Sequence, residues 1–318
     1  MAVSKPMMGF LMCTTAALLW ATSGVCGKIV MTGTMSPSRL VFYRSTLGAL
    51  LLLVGLSLRQ PAILKINIRD VPYFMIMGVV GLALTQFTYY AAIQRLNVGL
   101  AILLQYLAPL WILLFERLHF KLKIPRSKLV ALLMALTGCS LVTSQTLTLT
   151  HLGAAGIILG LLAGICFAAY SLMTQHATRS YKELTILFYS LLFSSFFWAI
   201  AGPDSWRPLR EVEPHKVWIL LYIVIFGTLV PYLFFIGAFK HLRASQVGII
   251  STLEPVIATI IAWIFLGEGL KGLQLVGSAL VVGAIILLQA SPEIFSSQSI
   301  VSSAALKVSS PDLPRHDT

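Results

Sequence analysis

Ten blocks of apolar residues, each about 18–25 residues long, succeed one another along the chain with short polar breaks between them. They cover 7–30, 37–57, 71–94, 97–115, 127–144, 151–176, 183–202, 216–239, 244–266 and 271–290. A helix rises 1.5 Å per residue, so about 20 residues cross the roughly 30 Å of hydrocarbon in a bilayer. Inside that layer every backbone N–H and C=O must be bonded within the segment, which makes each block a helix. A water-soluble bundle would need a polar stripe along each helix, and these blocks lack one. The balance of residues agrees: 58% are hydrophobic and 11% charged, against about 25% charged in soluble domains. The sequence therefore predicts an all-α integral membrane protein with ten transmembrane helices.

The formal net charge is +12, from 23 Lys and Arg against 11 Asp and Glu. On a soluble chain this excess would suggest nucleic acid; here it falls in loops, where basic residues mark the cytoplasmic side of a membrane protein. With the N-terminus inside, the inner loops and tails hold Lys5, Arg59, Lys65, Arg69, Arg117, Lys121, Lys123, Arg126, Lys128, Arg179, Lys182, Lys240, Arg243, Lys307 and Arg315. The outer loops hold Lys28, Arg39, Arg95, Arg207, Arg210, Lys216 and Lys271. The bias puts both termini in the cytoplasm and predicts a multi-pass protein of the cell (inner) membrane, with the bilayer as partner and no nucleic acid. Lys5 runs directly into the first apolar block and no small-residue cleavage site follows, so that block is expected to remain as a span. Cys13, Cys26, Cys139 and Cys166 lie in or beside apolar spans without a Cys-x-x-Cys pair, and read as packing residues. No metal or cofactor is expected. The Ser-rich segment 291–318 reads as a disordered cytoplasmic tail.

The chain also repeats itself. Setting residue n against n+146 aligns Gly81 with Gly227, Gln86 with Tyr232, Ala92 with Ala238, Leu96 with Leu242, Leu107 with Leu253 and Pro109 with Pro255. Phe42-Tyr43 and Phe188-Tyr189 fall in the same register. The division this predicts is a first repeat over 1–145 and a second over 146–290. Each holds five helices, an odd number, so the second copy enters the membrane from the opposite side. Inverted repeats of this kind place a binding site near the midplane between two halves that rock against each other.

The ten-span, two-repeat layout, together with Ala244-Ser245-Gln246-Val247, Leu253-Glu254-Pro255 and Leu266-Gly267-Glu268, resembles the EamA-type branch of the drug/metabolite transporter superfamily. The resemblance covers nearly the whole chain. The first repeat departs from it: Leu107-Ala108-Pro109 keeps the proline without a counterpart of Glu254, and Leu122 stands where a second glutamate would fall. The resemblance implies a secondary transporter that exports amino acids, related metabolites or drugs through a central cavity. It does not select the compound.

Ionisable residues inside a span are costly and mark a cavity or a partner. Glu254, just before Pro255, reads either as a protonatable cavity group that couples transport to a proton, or as a carboxylate serving freed backbone amides or a basic side chain. Arg44 can bind an anionic group with its planar fork, hold a helix end, or pair with Glu254. The first span carries Trp20, Thr22 and Ser23 and no mid-span carboxylate, which favours a zwitterionic or amphipathic substrate over a purely cationic one. A pocket between repeats needs apolar walls and a few placed polar groups. Trp20, Gln86, Tyr89, Tyr90, Gln105, Tyr170 and Tyr232 can supply them, although single aromatics more often pack. Gly156, Gly160 and Gly164 share one helix face and suit close helix contact.

No His-Glu-x-x-His, Gly-x-Ser-x-Gly or phosphate-loop motif occurs, so the chain reads as no enzyme. The sequence predicts a secondary transporter, an exporter of small metabolites such as amino acids. Multidrug efflux or a nucleobase carrier on the same fold is the alternative, with a channel or membrane enzyme behind them. A proton is the candidate coupling ion.

Overall fold

The computed structural model describes residues 4–33, 35–96, 98–119, 124–143, 153–266 and 272–290. The expected tail at 291–318 lies outside the described residues, as do Lys121, Leu122, Lys123, Gly267, Glu268 and Lys271. The helices in chain order are α1 (Lys5–Val30), α2 (Pro37–Arg59), α3 (Ile68–Arg95) and α4 (Val98–His119). They continue as α5 (Arg126–Thr143), α6 (Ala154–Ala177), α7 (Glu183–Ala201) and α8 (Pro214–Ala238). The last two are α9 (Ala244–Ser251 continued by Leu253–Leu266) and α10 (Gly272–Ala290). Among the described residues, nine helices are long and apolar enough to cross a membrane, and the apolar stretch Gly272–Leu288 of α10 is a shorter tenth. Their outer faces present Leu51, Val54, Ile158 and Ile286 to the surroundings, as a lipid-facing surface requires. Helix starts follow from local chemistry: Pro37 opens α2, and the Ser36 hydroxyl accepts from the Arg39 amide at 3.2 Å.

The fold is ten transmembrane helices in two inverted repeats of five, and the repeats interlock. The middle of α3 widens into a π-helical stretch over Met77–Ala83, and the middle of α8 does so over Ile225–Leu229; the two are related by the 146-residue offset. Each widened stretch carries the glycine aligned in sequence. A Cβ on Gly81 would stand 2.9 Å from the Tyr170 ring of α6, and one on Gly227 would stand 2.4 Å from the Ser23 hydroxyl of α1. So α3 of the first repeat seats α6 of the second, and α8 of the second seats α1 of the first.

Two further breaks obey the same symmetry. Helix α4 divides into α4a (Val98–Gln105) and α4b (Ala108–His119), and α9 into α9a (Ala244–Ser251) and α9b (Leu253–Leu266). Pro109 and Pro255 lie just beyond the breaks, where a missing N–H and a bulky ring interrupt the hydrogen-bond ladder. The glycine face of α6 holds the end of α3 and α4a close: a Cβ on Gly156 would meet Leu96, just after α3, at 2.7 Å, and one on Gly160 would meet Leu104 of α4a at 2.6 Å. On Gly164 the neighbour is the backbone oxygen of Leu104, at 3.0 Å.

Helices α5 and α10, equivalent in the two repeats, cross at a glycine pair. A Cβ on Gly138 would lie 2.6 Å from the Gly277 carbonyl oxygen, and the reverse distance is the same. Gly138→Val is therefore expected to force the pair apart and destabilise the protein by about 1–3 kcal/mol. Gly55→Val, at a position with nothing within 4 Å, serves as the control. Thermal unfolding in detergent compares them, and equal losses for both variants would contradict this account of the crossing. The face of the bundle at which α1 begins is its N-face.

Candidate functional site

The breaks and the π-helical stretches converge on one internal cavity of about 50 Å³. Its wall takes Trp20 from α1, Arg44 from α2, Gln86, Tyr89 and Tyr90 from α3, and Gln105 and Tyr106 from the break in α4. Phe167 of α6, Tyr232 of α8 and Glu254 of α9b also line it, with Ser23, Gly24 and Thr85 between them. Eight of the nine candidates named from the sequence line this one space: Trp20, Arg44, Gln86, Tyr89, Tyr90, Gln105, Tyr232 and Glu254. Tyr170 does not; its ring stands behind the wall, 5.8 Å edge-to-face from Tyr232 and parallel to Phe235. A larger cavity of about 260 Å³ opens at the N-face beside Phe10, Gln246 and Ile250. Among the described residues no charged side chain lines it, and the Gln246 amide oxygen is occupied by the Arg243 N–H at 2.9 Å, so it offers less chemistry than the central one.

Arg44 is buried, and its guanidinium is held in three directions. Its Nε donates to Thr228 Oγ1 at 3.0 Å, one Nη to Tyr90 Oη at 2.8 Å and the other to the Gly227 carbonyl at 2.9 Å. The π-helical stretch of α8 makes this possible: Thr228 Oγ1 donates to the Ile223 carbonyl five residues back at 2.9 Å, and the Gly227 carbonyl turns toward α2. The cation also lies 5.6 Å from the centre of the Tyr90 ring, within the range of a cation–π attraction. Two of the five guanidinium N–H groups remain beyond these bonds.

Glu254 is buried as well and accepts a hydrogen bond from the Tyr106 hydroxyl at 2.5 Å. It does not form an ion pair with Arg44: the guanidinium is committed to α3 and α8, and the carboxylate to the break in α4. Of the sequence alternatives, pairing of these two charges is the one the geometry replaces. Around them, Gln86 Nε2 donates to its repeat-related partner Tyr232 at 3.4 Å. Trp20 meets Tyr232 edge-to-face at 5.1 Å and Phe167 at 6.3 Å. Three buried polar atoms of the wall have no partner among the described residues: Gln86 Oε1, Gln105 Oε1 and the Tyr89 hydroxyl. Such atoms are costly to leave unbonded and mark where a ligand or water belongs.

Comparison with known proteins adds a decisive match. The profile of the EamA-like transporter family fits residues 7–144 and then again 154–289. The chain belongs to that family.

This EamA-like transporter is similar to the pseudopaline exporter of Pseudomonas aeruginosa, 26% identical over 80% of the chain and 87% of the relative. It is 26% identical to the threonine/homoserine exporter of Salmonella typhimurium over 62% of the chain and 64% of that protein. A solved crystal structure superposes with a TM-score of 0.73 at 19% identity, covering 88% of this chain and 96% of the other, which shows the fold. The chain is thus a membrane transporter and not an enzyme. Two residues that hold the site's charged groups, Tyr106 and Thr228, carry no mark in the sequence. Tyr106 reads as one more packing tyrosine, and its repeat partner is Thr252, so symmetry does not single it out. Thr228 follows the aligned Gly227, and that adjacency is the signal which could have located it.

Proposed function

We propose that this transporter exports small zwitterionic metabolites of the amino-acid class, by alternating access of two repeats divided near residues 145 and 146. The observation that supports this most is a pair of opposite charges facing one cavity without touching. Glu254 offers a carboxylate to an ammonium group, with the Gln86 and Gln105 amide oxygens beside it as further acceptors. Arg44 keeps two N–H groups and its full charge for a carboxylate, with Tyr89 as an additional donor. Trp20, Phe167 and Tyr232 wall the space with aromatic faces suited to an ammonium or an apolar side chain. At about 50 Å³ the cavity holds only one or two waters, so a substrate enters after the halves part at the paired breaks in α4 and α9. A proton taken up by Glu254 when substrate leaves would link export to the proton gradient. The basic inner loops support the N-face as cytoplasmic, in a cell (inner) membrane. The threonine/homoserine exporter among the relatives carries substrates of that class.

Purified protein in liposomes should accelerate exchange of a labelled amino acid against unlabelled substrate, with saturation. A screen across amino acids, nucleobases and organic cations decides the class, and exchange of nucleobases alone would overturn the reading. Gln86→Cys and Tyr232→Cys, in a background with Cys26 replaced, should both react with a water-soluble thiol reagent and be protected by substrate. Two inert cysteines would remove this cavity as the path.

A further inference from the structure

The repeats are strapped together at both faces, and the straps are copies of each other. At the face opposite the N-face, α2 of the first repeat holds the loop that follows α7 of the second. Arg39 Nη2 donates to the Arg207 and Pro208 carbonyls at 3.0 and 2.8 Å, and the Tyr43 hydroxyl donates to the Arg207 carbonyl at 2.5 Å. At the N-face the roles reverse, and α7 holds the turn Pro61–Leu64 that follows α2. The Thr185 hydroxyl donates to the Ile63 carbonyl and the Tyr189 hydroxyl to the Leu64 carbonyl, both at 2.7 Å. The 146-residue offset relates Arg39 to Thr185 and Tyr43 to Tyr189. One further bond at each face obeys it: Lys216 donates to the Thr32 carbonyl at 2.8 Å, and Asp70, its counterpart, accepts from the Tyr181 hydroxyl.

Between the straps the seam is tight. The Ser45 and Ser194 hydroxyls meet at 2.9 Å and those of Thr46 and Ser195 at 2.6 Å, while a Cβ on Gly48 of α2 would lie 3.2 Å from the Leu191 side chain of α7. So α2 and α7 are bonded across the repeats at both ends and in the middle. The central cavity lies off this seam: α2 gives its wall Arg44, and α7 gives it no residue among those described. Helices α2 and α7 pack on each other and on α3 and α8, whereas α4 packs mainly on α6 and α9 mainly on α1. A hinge motion that opens a face along a seam has to stretch the contacts at that end. Opening along α2–α7 would break a strap at either face; opening on the side of α4 and α9 breaks neither.

We propose that the α2–α7 seam stays closed throughout the transport cycle, as a spine that joins the two repeats, and that both faces open on the other side of the bundle, where α4 and α9 are broken. The swapped straps make the spine equally secure at the two faces, so the halves can rock in either direction without separating.

Hydrogen–deuterium exchange of the full chain in nanodiscs, without substrate, tests this; the proposal rests on alternating access as inferred above, not on what is carried. Ser45→Cys with Ser194→Cys, in a background with Cys26 and Cys166 replaced by alanine, puts two thiols where hydroxyls now touch, and Thr46→Cys with Ser195→Cys gives a second lock of the seam. Cys13 Sγ of α1 lies 3.5 Å from the Ser251 hydroxyl, so Ser251→Cys locks α9a to α1 instead. Each variant is compared oxidised and reduced. With either seam lock closed, amides of 98–105 and 244–251 should exchange within about twofold of the reduced protein, whereas the lock between α1 and α9a should slow 244–251 about tenfold. If a seam lock slows either segment beyond twofold, the seam takes part in opening and the proposal fails. It fails equally if the lock between α1 and α9a leaves 244–251 unchanged, because α9a is then not the moving part. Failure of both seam pairs to oxidise would overturn it too, since the side chains would not be held together.

Discussion

Glu254→Gln should abolish pH-gradient-driven transport while leaving the fold in place. Glutamine has nearly the same shape, and its amide oxygen can still accept the Tyr106 hydroxyl that now reaches Glu254 at 2.5 Å. What disappears is the charge and the ability to take up a proton. Substrate accumulation against its gradient, driven by an imposed pH difference in liposomes, is expected to fall by on the order of 10²-fold, the effect of removing one charge-assisted hydrogen bond from a buried site. The dependence of exchange on symmetric pH should flatten in the same variant. Tyr106→Phe separates the two roles, because it removes the hydrogen bond and keeps the titrating group. That variant should retain a pH-dependent profile with a displaced midpoint. A wild-type pH profile in Glu254→Gln would show that the carboxylate is structural and that any proton coupling lies elsewhere.

The parts of this molecule that are legible in its sequence are those imposed by the bilayer and by duplication. Hydrocarbon thickness sets the length of each helix, and the n to n+146 register carries Gly81 and Gly227, or Pro109 and Pro255, to equivalent places. Even the π-helical stretches and the helix breaks, which have no pattern of their own, fall at those aligned residues. What sequence does not mark is the set of pairings that break the symmetry. Glu254 is bonded to Tyr106, whose repeat partner is a threonine, so neither alignment nor residue type pointed to that bond. Arg44 could as well have met Glu254; the choice was made by the Gly227 carbonyl, which becomes an acceptor only because α8 is π-helical there. Lys128 reads in the sequence as one more basic residue of an inner loop, whereas it is buried against Glu116. Tyr170 matches the cavity residues in chemistry, yet close seating on Gly81 keeps its ring behind the wall. Helix length and repeat register are one-dimensional properties; side-chain partners depend on which backbone groups the packing releases.

Arg44 is where these two kinds of information meet, and its substitution should have the second large effect. Arg44→Gln would leave the Gly227 carbonyl, Thr228 and the Tyr90 hydroxyl short of a donor, at about 1–3 kcal/mol for each buried group not re-bonded by the glutamine or water. Arg44→Lys keeps the charge but replaces a planar fork with a point of three donors, which cannot serve all three acceptors in their present directions. Both variants should melt earlier than the wild type, and Arg44→Lys should lose less. Stability alone, however, does not separate a positioning role from direct binding of substrate. Paired substrates do: an amino acid and its carboxamide differ in the carboxylate and share the ammonium group. If Arg44 faces the carboxylate, Arg44→Gln should reduce exchange of the amino acid by on the order of 10²-fold and that of the carboxamide much less, since the missing charge matters only where an opposite charge is present. Equal losses for both would mean that Arg44 only braces α2 against α8. The carboxylate would then meet only the Tyr89 hydroxyl as a donor, and the cavity would be selective for the ammonium end.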